Sequence, residues 1–117
     1  MRILVYEHIT SGALDPATTP AALLRDGDAM ARALIDDLTR ISGTEVLALR
    51  HAALPALGPT VQTIVVEGAA ALPDRLDQAM RSTDAVWPIA PETDGVLERV
   101  NRAVVESGRL LIGCEDA

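Results

Sequence analysis

Lysine and phenylalanine are both absent from the 117-residue chain, which carries one cysteine (Cys114), one tryptophan (Trp87) and one tyrosine (Tyr6). Each shortage excludes something. Without lysine there is no phosphate-binding lysine of a P-loop, so the chain carries no Walker A site. The ten basic residues are all arginine and stand against seventeen acidic ones, for a formal net charge of −7. An acidic chain with no basic patch is a poor partner for nucleic acid or for an anionic membrane. A lone cysteine permits no internal disulfide, and Cys114 reads as a small buried thiol near a strand end. The apolar run that opens the chain, within residues 1–7, is too short for a signal peptide or a membrane span. The expected compartment is therefore the cytoplasm, with no membrane partner.

What is present is aliphatic. Apolar residues make up 49% of the chain, which argues against disorder. A core of Leu, Ile, Val and Ala suits a parallel sheet covered by helices on both faces. The length fits one domain, residues 1–117.

Five short runs rich in β-branched residues predict strands over 3–7, 45–50, 62–67, 85–90 and 109–113. Most are continuously apolar rather than alternating, as expected of strands buried on both sides. Helical spacing predicts a first helix over about 21–41, with Gly27, Ala31, Leu34, Leu38 and Ile41 on its inner stripe. Arg25, Asp28, Arg32, Asp36 and Arg40 fall mostly on the opposite face. Gly27 weakens an isolated helix, so it is expected to permit close approach to a strand. A second helix starts near Pro73, with Leu72, Leu76 and Met80 inward. A third starts near Thr93 or Asp94 as N-cap and ends at Ser107-Gly108, with Val96, Val100, Ala103 and Val104 buried. The alternation of strands and helices predicts a mostly parallel sheet with right-handed crossovers. The 51–60 connection is too short for a crossover helix, which leaves the direction of the third strand open.

Ligands of open α/β sheets bind beyond the carboxyl ends of the strands, where the strand order reverses. If the first and fourth strands are neighbours, two polar loops meet there. One is Glu7-His8-Ile9-Thr10-Ser11-Gly12 and the other is Pro91-Glu92-Thr93-Asp94-Gly95. The first lacks the three glycines of a dinucleotide fingerprint. The candidate substrate-binding residues are Glu7, His8, Thr10, Ser11, Glu92, Thr93 and Asp94. Glu7, Glu92 and Asp94 together would favour a cation such as a substrate amine, or a hydrated metal, and would repel a bare phosphate. Local capping of turns and of a helix start is the competing explanation. No catalytic, cofactor-binding or metal-ligating set stands out, no serine sits in a G-x-S-x-G elbow, and His51 reads as structural or solvent-facing.

The segment Asp84-Ala-Val-Trp-Pro-Ile-Ala-Pro-Glu-Thr-Asp-Gly-Val-Leu-Glu-Arg, followed by Ser107-Gly-Arg-Leu-Leu-Ile-Gly113, resembles the end of the pre-ATP-grasp domain of ATP-grasp ligases. Val5-Tyr6-Glu7-His8-Ile9-Thr10-Ser11-Gly12 and Leu23-Leu24-Arg25-Asp26-Gly27-Asp28-Ala29-Met30 resemble the start of a subgroup that includes tyramine–L-glutamate ligases. The resemblance covers essentially the whole chain. It implies the N-terminal, substrate-side domain of a ligase that activates a carboxylate with ATP and Mg²⁺ as an acyl phosphate, which an amine or amino acid then captures. In such enzymes the ATP lysines and metal carboxylates lie in downstream ATP-grasp domains. The chain alone is therefore expected to hold no cofactor and to be inactive. The alternative is a free-standing, non-enzymatic Rossmann-like module that binds a small molecule or forms a homodimer. Alternation and resemblance together predict a three-layer sandwich with a five-stranded sheet in the order 3-2-1-4-5. The first helix is expected on one face and the third on the other.

Overall fold

The computed structural model describes residues 1–91 and 93–113. Glu92 and Cys114 lie outside the described residues, and with them the expectations placed on those two side chains. The chain runs β1 (Arg2–Glu7), α1 (Ala21–Thr39), β2 (Glu45–His51), β3 (Gln62–Val66), α2 (Leu72–Arg81), β4 (Ala85–Ile89), α3 (Val96–Glu106) and β5 (Leu110–Leu111). A 3-10 turn over Thr93–Gly95 leads into α3. The strands form one sheet in the order β3-β2-β1-β4-β5, as predicted. Every pairing is parallel, including β2 with β3, which closes the question left by the short connection between them.

β1 is the central strand, and all of it but Arg2 is buried. Its side chains alternate between two cores. Ile3 and Val5 join Val46, Ala48 and Ala85 beneath Ile35 and Leu38 of α1. Leu4 and Tyr6 join Leu47, Leu49, Val66 and Val86 beneath Ala79 and Met80 of α2 and Val104 of α3. α1 thus covers one face, and α2 and α3 the other. Burying one such aliphatic side chain contributes about 1.5–3 kcal/mol, so two cores of this kind hold a sheet without any phenylalanine.

Three local expectations need correction. The inner stripe of α1 is Gly27, Ala31, Ile35 and Leu38. Ile41 lies beyond the helix and is 54% exposed, because the helix stops at Thr39 and the chain turns away towards β2. The N-cap of α3 is Gly95 in the left-handed region, not Thr93 or Asp94, which are taken up by the 3-10 turn. β5 is shorter than predicted and pairs with β4 only at Ala85↔Leu110 and Val86↔Leu111. That shortness accommodates Pro88, whose missing N–H falls beyond the last β4–β5 contact, Ile112 N–H to Val86 O.

Candidate functional site

The parallel register brings Glu7 opposite Ile89, so the carboxyl ends of β1 and β4 adjoin and their loops share one crevice. A hydrogen bond from His8 N–H to Ile89 O (2.8 Å) fastens the start of the first loop to the end of β4.

Within the first loop, Glu7 turns inward. The residue is 3% exposed, and its carboxylate accepts from Ile9 N–H (3.0 Å), Thr10 N–H (2.9 Å) and the Thr10 hydroxyl (2.6 Å). The Ser11 hydroxyl donates to Glu7 O at 2.6 Å, with a longer contact to Leu49 O at 3.3 Å. His51 N–H donates to Thr10 O at 2.9 Å and ties the loop to β2. Glu7, Thr10 and Ser11 therefore use their polar atoms on one another and on the backbone. A buried carboxylate that accepts several hydrogen bonds is stable where a bare one is not. Gly12 closes the loop at φ 113°, with its α-carbon against Val66, where a Cβ would lie 2.4 Å from Cγ1.

His8 is the exception in this loop, because its half-buried ring faces the crevice edge. Tyr6 Oη lies 3.0 Å from His8 Nδ1. Burial, and secondarily the charge of Glu7, push the Tyr6 phenol up to about 12, so it stays protonated. We assign it as the donor to Nδ1, which leaves the His8 proton on Nε2. Burial lowers the His8 pKa; Glu7 opposes the shift and Arg99 adds to it.

Across the crevice, Asp94 is exposed and holds a left-handed backbone at φ 57°. Arg99, one turn into α3, donates from Nη1 to Asp94 O at 2.7 Å. Arg99 is thus held at the start of α3, close enough for its charge to act on the His8 imidazole. Thr93 opens the 3-10 turn on the same side. Sequence reasoning weighed the acidic residues here and missed Arg99; an arginine one helical turn beyond the loop was the available signal.

The crevice offers no cradle for a triphosphate among its described residues, because the Ile9 and Thr10 amides that point into the loop are committed to Glu7. Among the described residues no three His, Cys, Asp or Glu side chains converge to hold a metal ion. Among the same residues no helix is long and apolar enough to cross a membrane.

With this geometry in hand, residues 44–117 match the family model of the pre ATP-grasp 3 domain. The chain belongs to that family. The match takes in β2 through β5 and the 91–95 loop. The fold of this pre-ATP-grasp domain is similar to that of a protein from Archaeoglobus fulgidus assigned to the ATP-grasp superfamily. The TM-score is 0.73 at 17% identity, over 97% of this chain and 33% of that one. The domain therefore spans about a third of the length of that solved protein. A comparison with curated proteins finds no match.

Proposed function

We propose that this pre-ATP-grasp domain is the N-terminal, substrate-side part of an ATP-grasp ligase that joins a carboxylate to an amine. The observation that carries the reading is one of extent: nearly the whole chain superposes on a third of an ATP-grasp superfamily protein. ATP and Mg²⁺ then belong to the remaining domains, since this chain has no lysine and its loop amides are already taken.

The crevice between β1 and β4 is the substrate edge. Glu7 is committed to its own loop, so the recognition of an ammonium group falls to Asp94, with Glu92 as a second candidate. Arg99 adds a cation beside Asp94. A carboxylate and a guanidinium at one mouth suit a ligand with both charges, such as an amino acid; a simple amine uses only half of the site. A tyramine–glutamate type of specificity is the narrower form of this reading.

The test is ADP release by the full-length gene product with a panel of amino acids and amines, run beside the 117-residue chain. The expected result is release that requires both a carboxylate and an amine substrate in the full-length protein, and none from the chain alone. ATP turnover by the isolated chain would sink the assignment, as would a full-length protein inert to the whole panel.

A further inference from the structure

The row of β2 side chains that faces α1 reads Val46, Ala48 and Arg50, two core residues and then a guanidinium that is 3% exposed. A charge in that position is costly unless it is paired. Arg50 Nη1 lies 2.6 Å from Asp28 Oδ1 on α1, and Arg50 Nε donates to Pro55 O at 2.9 Å. Arg32 Nε approaches the other oxygen of Asp28 at 2.8 Å, while its Nη2 donates to Ala56 O at 3.1 Å. One carboxylate therefore serves two guanidinium groups, which also grip the loop that follows β2. Burial pushes the Asp28 carboxyl up, but hydrogen bonds and charge from Arg32 and Arg50 outweigh it and hold the group below the ordinary carboxylate value.

Beside this cluster is a cavity of about 170 Å³ lined by Thr10, Leu24, Arg25, Asp28, Arg50, Leu54 and Pro55. Its walls are apolar at Leu24, Leu54 and Pro55 and charged at one end. Arg25 is a third cation on this wall and makes no ion pair among the described residues. Glu7 packs under Gly27 with its oxygens already engaged. Two guanidinium groups, Arg25 and Arg50, against one carboxylate, Asp28, leave the lining of the cavity with a positive balance. A cavity of roughly 150 Å³ admits a benzene-sized molecule, so the space suits a ligand with one charged head and a short apolar tail.

We propose that this cavity binds a small organic carboxylate, with its head on Arg25 and the Arg50 end and its tail between Leu24 and Leu54. A carboxylate suits the site better than a phosphate dianion, because Asp28 and Glu7 repel a second negative charge and the apolar walls need a tail to cover them. The site stands on the α1 face, at the carboxyl end of β2 and beside the loop that follows β1. It does not depend on the ligase reading, which concerns the crevice between β1 and β4.

The experiment is a titration of the ¹⁵N-labelled 117-residue chain at low ionic strength with butanoate, with butylammonium and with inorganic phosphate, followed by amide chemical shifts. Butanoate should give saturable shifts at Thr10, Leu24, Arg25 and Leu54 with Kd of about 1–10 mM, the range open to a ligand of six heavy atoms. Arg25 is exposed on its helix, so Arg25→Gln should fold normally and weaken butanoate at least fivefold. Leu54→Asp, in the loop, should abolish the shifts by placing a negative charge beside the tail. Linear shifts, equal binding of butylammonium or phosphate, or unchanged affinity in both variants would overturn the proposal. In that case the Asp28–Arg50 pair only fastens a loop.

Discussion

Gly27 packs its α-carbon directly against the carboxylate of Glu7: a Cβ at Gly27 would stand 2.8 Å from Glu7 Oε1. A flexible glutamate could swing aside, but this one is fixed by three hydrogen bonds to the loop that follows β1. The glycine in the middle of a 19-residue helix is therefore the condition for an inward-turned Glu7.

That contact makes an unusual prediction about a helix. Glycine to alanine inside a helix ordinarily adds about 1 kcal/mol through propensity. Gly27→Ala should instead lower stability by about 1–3 kcal/mol, the usual scale of overpacking. Urea unfolding measures this directly. A variant as stable as the parent, or more so, would show that Glu7 yields freely and that the loop is not held as described.

Asp28 supports a second prediction, one with a pH sign. Its folded pKa is lowered, so as the pH falls the unfolded chain binds a proton first. The stabilisation is full above the unfolded value of about 3.9 and is lost as pH falls through the folded value. Asp28→Asn should flatten the acid limb of a melting-temperature curve below about pH 5. At neutral pH it should cost about 2–3 kcal/mol, somewhat less than the roughly 3–5 kcal/mol of a fully buried pair, because Asp28 is 32% exposed. Replacing both partners (Asp28→Leu with Arg50→Met) should recover most of that loss, since a buried pair and an apolar substitute are often equivalent. A double variant as weak as Asp28→Asn would mean the guanidinium grip on the loop matters more than the charge.

The contrast between what was readable and what was not has a physical origin. The strands could be read because a sheet buried on both faces needs unbroken aliphatic runs, and β1 and β2 supply them. The two crevice loops could be read because they interrupt those runs with polar residues. The sequence does not single out Ile35, because a stripe of 3.6 residues per turn can step through 34 or 35, and only packing with Val5 and Ala48 decides. The inward turn of Glu7 and the reach of Arg50 to Asp28 depend on where a side chain points after its strand ends. Sequence spacing does not encode that direction.

His8 gives the third prediction. Its pKa lies below that of an ordinary histidine through burial first, with Glu7 raising it and Arg99 lowering it. As pH falls below about 6.5, the unfolded chain protonates before the folded one, so His8-linked stability is present above that value and declines beneath it. Arg99→Gln removes a lowering charge and should move the His8 pKa up, read from the imidazole Cε1 proton by NMR. A downward shift, or none, would remove Arg99 from the crevice.

The last prediction separates a binding role for Asp94 from a purely local one. Asp94 sits at φ 57°, a conformation that asparagine tolerates as readily as aspartate. Asp94→Asn thus removes the charge while keeping the shape, and stability should change by no more than about 0.5 kcal/mol, as for an ordinary surface substitution. The Arg99 bond is to the Asp94 main-chain oxygen and survives the change. If the carboxylate holds a substrate ammonium, part of a charge-assisted hydrogen bond is lost, about 1–2 kcal/mol for a site shielded only when the enzyme is assembled. Under the proposed ligase function, this should raise the KM of the full-length protein for the amine substrate roughly 5- to 30-fold while the KM for ATP stays as it was. Arg99→Gln should raise the KM for an amino acid but leave that for a simple amine nearly unchanged, because only the amino acid carries a carboxylate for the guanidinium. Equal effects of Arg99→Gln on both substrate types would argue that the arginine merely braces the turn. Normal kinetics in both variants would reduce the crevice to a well-capped start of α3.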